Sequence, residues 1–196
     1  MAYLVAADLK TYLGISSSTD DTLLTALIAA AQKAIEEYTH HVFEMATATA
    51  RTFDAIRDIG KGDDRRMLYL DTDLCTISSI ANGDGTTVTA AQYVTEPRGV
   101  TPYYAIRLKA SANVAWTYTD DPENAITVTG KWAYSATPPN DIVQATRRMA
   151  GWMYRGKDTQ AYDSTAFSEL GVIRIKHKIP EDILQLLDEP YRRLVG

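Results

Sequence analysis

The hydrophobic period of this 196-residue chain changes twice, and few folds can absorb that. From Leu24, apolar side chains recur at Leu27, Ile28, Ala31, Ile35 and Tyr38, the spacing of one helical face. Between about residues 47 and 137 this gives way to short runs rich in Thr, Val, Ile and aromatic residues, separated by turn signals, which reads as β structure. After Pro138-Pro139 the helical spacing returns. An amphipathic helix gains most of its stability by burying its face, so the two helical ends need each other. The pattern predicts an α+β fold: an α-helical core formed by N- and C-terminal helices (1–46 and 138–196), with a β-rich insertion (47–137) between them. The whole is read as one domain, 1–196, without internal repeats or a linker.

Local signals set the expected elements. Ala7 to Leu13 is a short helix closed by Gly14, and Asp20 or Asp21 is placed to cap the long helix that ends near Thr39. Within that helix, Ala26, Ala29, Ala30 and Ala34 supply helix propensity and room for close packing. Expected strands are 50–56, 67–70, 76–81, 88–94, 104–108, 114–118 and 125–131. Asn82-Gly83-Asp84-Gly85 is a hairpin turn, and 120–124 a second turn. Past Asn140 or Asp141, a helix is expected with Ile142, Ala145, Met149, Trp152 and Met153 on its apolar face, ending at Gly156. Residues 157–170 read as a loop, and 172–179 as a strand with Ile173, Ile175 and Ile179 opposite Arg174, Lys176 and Lys178. A last helix opens at Pro180 with Leu184, Leu187, Tyr191 and Leu194 on one face, and a break is expected just before Pro190.

Composition excludes several classes. With 45% hydrophobic and 23% charged residues, the chain is neither disordered nor of low complexity. No apolar stretch approaches the roughly 20 residues that span a bilayer, so no membrane contact is expected. The acid-containing N-terminus, without a basic start, argues against a signal peptide. The single cysteine, Cys75, excludes an internal disulfide and a multi-cysteine zinc site. The net charge is −5, but residues 1–46 carry −4, 47–140 carry −2 and 141–196 carry +1. That polarity suits head-to-tail contact between copies, and the acidic total argues against a dedicated nucleic-acid binder.

Residues able to do chemistry are sparse, and no catalytic, metal or cofactor site is assigned. His40, His41 and His177 show no paired ligand spacing, and Glu37 with His40 lacks further ligands. Asp71 and Asp73 read as acids capping turns, not as a calcium loop. Gly151 to Lys157 matches a phosphate-loop spacing, but Asp158 stands where Ser or Thr is needed and no strand precedes it. Cys75 reads as a small buried hydrophobe. The row Arg174, Lys176, Lys178 suits either DNA phosphates and acidic partners or protection of an exposed strand edge. Arg155, near a helix C-terminus, also favours the helix dipole. A separate possibility is an aromatic platform of Tyr103, Tyr104, Trp116, Tyr118 and Trp132 for a glycan or peptide.

Three stretches taken together carry a family resemblance. They are Asp-Leu-Lys-Thr-Tyr-Leu-Gly-Ile with Ala-Ala-Gln-Lys-Ala-Ile-Glu-Glu-Tyr-Thr and Phe43; Ile-Thr-Val-Thr-Gly-Lys-Trp-Ala-Tyr-Ser with Pro138-Pro139 and the following Arg-Arg-Met-Ala-Gly-Trp-Met-Tyr-Arg; and Ile-Pro-Glu-Asp-Ile with Leu-Leu-Asp-Glu-Pro-Tyr-Arg-Arg. In this order and spacing the chain resembles the head–tail connector (adaptor, or head-completion) family of tailed bacteriophages and prophages. The resemblance implies a non-enzymatic virion protein of the neck, assembled in the host bacterial cytoplasm. It implies a homo-oligomeric ring, a dodecamer under the portal protein, that extends the DNA channel and offers a docking surface to a tail-side neck or tail-completion protein. On that basis Arg148, Arg155, Tyr191, Arg192 and Arg193 are candidates for the portal or subunit interface, and Arg174, Lys176 and Lys178 for contact with a neighbour or with transiently passing double-stranded DNA. Another neck or tail-completion role, and the aromatic binding module, are the alternatives. The long β zone departs from the smallest, all-helical members of the family.

Overall fold

Helix α1 (Ala6–Leu13) ends where Gly14 turns left-handed at φ 72°, its N–H returning to the carbonyls of Lys10 and Thr11. A side chain there is strained, so glycine stops the helix where the sequence places it. The computed structural model describes residues 2–156, 164–167, 171–174 and 179–191. They form two compact units: one spans 41–137, and the other joins 2–40 to the segment from 138 onward. The fold is mixed α+β, with helices toward both termini and a β-rich middle.

In the helical unit, α2 (Asp21–Thr39) buries Leu24, Ile28, Ala31, Ile35 and Thr39, the face the spacing predicts. It contacts α1, α3 (Asn140–Gly156) and α4 (Glu181–Tyr191). Polar bonds fix how the helices register. Lys10 Nζ bonds Asp21 Oδ1 at 2.7 Å, tying α1 to α2. The Tyr154 hydroxyl donates to Asp20, so the residue expected as a side-chain cap bonds α3 instead and makes no cap bond. Tyr38 donates to Asp188, joining α2 to α4. Four further expectations are corrected. Ala26, Ala29 and Ala30 face outward, so they supply propensity and no packing. α4 runs on through Pro190, because a proline in the last turn removes only one of the final hydrogen bonds. Its buried face is Ile183, Leu187 and Tyr191, with Leu184 only half-buried; Leu194 lies outside the described residues. The stretch read as a loop contains β7 (Ser164–Phe167), antiparallel to β8 (Gly171–Arg174).

The other unit holds two antiparallel three-stranded sheets. One has the order β1 (Thr49–Phe53), β6 (Ile126–Lys131), β3 (Thr76–Ala81); the other β2 (Met67–Leu74), β5 (Tyr103–Leu108), β4 (Tyr93–Glu96). β6 alternates cleanly, turning Ile126, Val128 and Gly130 inward. Inward residues of both sheets join one cluster that includes Phe53, Leu68, Ile80, Ile106, Val128 and Trp132. Two expected strands do not pair as strands. Val88 is buried and its N–H reaches the Ile80 carbonyl at 3.0 Å, but the paired strand begins only at Tyr93. Residues 114–118 cross the core edge with a single bridge, Tyr118 to Gly83. The 82–85 turn forms as expected, with Gly85 at φ 80° and the buried Asn82 side chain bonded to the backbone of Gly83, Ala115 and Thr117.

Gly130 lets three strands meet. A Cβ there would stand 2.1 Å from the Thr76 carbonyl oxygen and 2.8 Å from Leu74 Cδ1. Gly130→Ala is therefore expected to cost about 2–3 kcal/mol, visible as a fall of roughly 5 °C or more in the thermal midpoint. A melt that matches the parent protein would refute this close approach.

Candidate functional site

Among the described residues, one flank of α3 gathers arginine and aromatic side chains. That helix buries Ile142, Ala145, Thr146, Met149, Ala150 and Gly151. Arg148, Trp152 and Arg155, at spacings of four and three, share an exposed flank beside that face. Trp152 is 47% exposed, which corrects its assignment to the apolar face: it lies at the edge of that stripe, where its helical neighbours are the two arginines. Tyr12 of α1 extends the patch, with the Arg155 guanidinium 6.0 Å from its ring centroid. Gly151 permits this approach, since a Cβ there would stand 3.1 Å from Tyr12 Cε1. Arg148 Nη1 is 3.4 Å from Asp182 Oδ2 of α4, an exposed pair that orients the guanidinium and adds little stability. Arg147 points to another flank, with its Nε buried and without a hydrogen-bond partner among the described residues.

The remaining predicted interface residues divide. Tyr191 is 7% exposed, and its hydroxyl lies 3.5 Å from Asp141 Oδ2, so it holds α4 onto α3. Arg192, Arg193, Lys176 and Lys178 lie outside the described residues, and Arg174 is described only as the last backbone position of β8, opposite Ser164.

Residues with chemical potential mostly hold the fold. His41 bonds Asp73 through Nδ1; the Asp73 side chain is buried and that of His41 nearly so. His40 closes α2 in the left-handed region at φ 58°. Asp71 pairs with Arg51 at 2.9 Å across the strands, so both predicted turn acids are in fact on β2. Among the described residues no group of three or more His, Cys, Asp or Glu side chains is placed to hold a metal ion. The span from Gly151 to Gly156 is helical throughout, not a phosphate-binding loop. Both tryptophans of the aromatic platform are buried, with Trp116 Nε1 donating to the Arg66 carbonyl at 3.0 Å and Trp132 Nε1 to that of Thr49 at 2.9 Å. Tyr104 and Tyr118 alone of that set are markedly exposed.

A family profile described as Head completion protein matches residues 3–194. The chain belongs to the head completion protein family. As a member it is a virion structural protein, and the family points to assembly, not turnover, as its work. Two solved structures share its fold, each with a TM-score of 0.57, 18% identity, and coverage of 99% of this chain and 92% of the other. One is described as the neck of an empty GTA particle computed with C6 symmetry, the other as the virion of a native gene transfer agent particle. No curated protein matches the sequence. Among the described residues no helix of this head completion protein is long and apolar enough to cross a membrane.

The surroundings of Cys75, the chain's single cysteine, make its thiol unreactive. It is buried, its Sγ lies 3.4 Å from the Lys131 carbonyl, and burial pushes its thiol pKa up. A raised pKa leaves less thiolate at neutral pH, so an aromatic disulfide reagent should modify the native protein on the order of 100-fold more slowly than the urea-unfolded chain. Equal rates would place the thiol in an open, activated site.

Proposed function

We propose that this head completion protein is a neck adaptor: a closed ring of copies beneath the portal that lengthens the DNA channel and presents a docking surface to the tail. The observation that carries the reading is the Arg148, Trp152, Arg155 and Tyr12 patch on a helical unit whose own core is already filled. Trp, Tyr and Arg are the residue types that dominate interface energetics, because each adds a large desolvated area together with a polar anchor. A monomer gains nothing by exposing them; a subunit that meets a neighbour or a portal does. Family membership and the fold shared with a chain of a gene transfer agent neck support the same role. A ring requires unlike faces to meet, and the acidic front and weakly basic back of the sequence suit that contact.

In this reading Arg148 and Arg155, with Trp152 and Tyr12 between and beside them, contact the portal or the next subunit. Arg192 and Arg193 extend that contact beyond α4, while Tyr191 fixes the helix from which they leave. Arg174, Lys176 and Lys178 touch a neighbour or the phosphates of passing DNA, few enough that the duplex slides. A twelve-fold ring is the proposed closed state. The second reading, a completion protein on the tail side of the neck, uses the same patch against a different partner.

Native mass spectrometry of the protein mixed with the portal encoded beside it tests the adaptor role. Fixed, symmetry-matched portal-bound copies are expected. Trp152→Ala combined with Arg148→Glu should weaken that binding by roughly 30-fold or more while leaving the thermal midpoint nearly unchanged, since neither residue is in the core. Absence of portal binding, with binding to the tail-side protein instead, would select the second reading. Full assembly by the double variant would remove the α3 flank from the interface.

A further inference from the structure

Gly151 is not the residue that folding alone would place inside α3. It is buried, and the helix continues on both sides of it. A glycine in a helix interior is less stable than an alanine, because it loses more backbone freedom on folding. A Cβ at this position would stand 3.1 Å from Tyr12 Cε1, 3.5 Å from Leu13 Cδ2 and 3.6 Å from Tyr12 Cδ1. The first of these alone is tighter than ordinary van der Waals contact.

The neighbour that would be crowded is also the one able to yield. Helix α1 is anchored by the fully buried Leu9 and by Lys10 Nζ on Asp21 Oδ1 at 2.7 Å. On α3, Tyr154 donates to Asp20. Two adjacent acids at the start of α2 therefore hold both helices in place. The Tyr12 ring, by contrast, is 44% exposed, and its hydroxyl makes no hydrogen bond among the described residues. A methyl group at position 151 should turn the ring aside and leave the helices and the core as they are.

What the ring does in its present place concerns Arg155. Gly151 and Arg155 are four residues apart, so they lie one above the other on the same flank of α3. The bare backbone at Gly151 seats the Tyr12 ring where it meets the Arg155 guanidinium, 6.0 Å from the ring centroid. An exposed arginine samples many rotamers, and ordering it on binding opposes association. A guanidinium drawn to an aromatic face has fewer rotamers left to lose.

We propose that Gly151 is a positioning residue of the assembly surface: it gives up helix stability for a close seat that sets Tyr12 beside Arg155 before a partner arrives. The inference rests on the neck reading for what this surface binds. The arrangement it asserts is measured on the protein alone.

Gly151→Ala tests it, with Tyr12→Leu and the double variant beside it. The thermal midpoint of Gly151→Ala should hold or rise by about 1–3 °C. Its Arg155 side-chain proton resonances, displaced by the Tyr12 ring current in the parent, should move to the positions they take in Tyr12→Leu. Binding to the portal or to the tail-side protein, whichever the parent binds, should weaken roughly threefold or more in each single variant. The double variant should bind no more weakly than Tyr12→Leu, because both changes remove one contact. A midpoint several degrees lower would make the glycine a requirement of the fold and overturn the proposal. So would Arg155 resonances that stay at their parent positions, binding that Gly151→Ala leaves intact, or losses that add in the double variant. If the parent binds neither neck partner, the neck reading fails, and the midpoint and the Arg155 resonances decide the positioning role by themselves.

Discussion

The packing of α2 on α3 is the contact on which the helical unit depends. The two helices are about a hundred residues apart in sequence, and neither can bury its apolar face alone. Bringing such distant segments together costs about 4 kcal/mol in loop-closure entropy by the logarithmic law. Fully buried Leu24, Ile28, Ile35, Ile142 and Met149 return roughly 1.5–3 kcal/mol each, so a few of these side chains offset it. The small residues at the contact matter as much as the large ones. Ala31, Ala145 and Ala150 are fully buried and let the helix backbones approach.

The β unit closes its own ends. The Tyr134 N–H donates to the Val42 carbonyl at 2.7 Å, and the Ser135 hydroxyl reaches the Phe43 carbonyl at 3.2 Å, so the entering and leaving segments run side by side. Around that point His41, Phe43 and Tyr134 pack in tilted and edge-to-face contacts at centroid separations of 5.3 to 6.0 Å, and His41 bonds Asp73 from β2. Burial and the adjacent Asp73 carboxylate both push the Tyr134 hydroxyl pKa up. A buried polar pair among aromatics fixes one arrangement, because any slip leaves a desolvated group unsatisfied. Here that pair lies where the chain enters and leaves the unit.

What was legible in the sequence was whatever depends on local spacing. The α2 stripe, the Gly14 stop, the 76–81 strand and the 82–85 turn all follow from residues a few positions apart. The fold class follows from the change of period. What was not legible depends on partners remote in sequence. Val88 and Trp116 have strand-forming neighbours and buried side chains, yet Val88 reaches only Ile80 of the edge strand β3 through its N–H, and the Trp116 segment pairs only at the Tyr118–Gly83 bridge. Trp152 departs from its expected place for a different reason: its hydrophobicity suits the buried stripe, while its angular position sets it beside Arg148 and Arg155. The platform tryptophans depart in the opposite direction, since a tryptophan whose indole N–H finds a carbonyl is content in a core. The His41–Asp73 pair left no local signal, because its members are far apart in sequence and meet only through the fold.

The exposed tryptophan therefore bears a different meaning from the two buried ones. Trp116 and Trp132 satisfy their indole N–H groups on backbone carbonyls within the β unit, so they complete a core that needs nothing further. Trp152 rests on a helix whose buried face is already filled by Ile142, Ala145 and Met149. A structural protein of a virion has to reach a finished fold before its partners arrive, or its unfilled surfaces would aggregate. That requirement separates large side chains used during folding from those that stay exposed beside charges, as Trp152 does beside Arg148 and Arg155. In the proposed adaptor, those cations form the polar rim of the interface that covers the Trp152 ring.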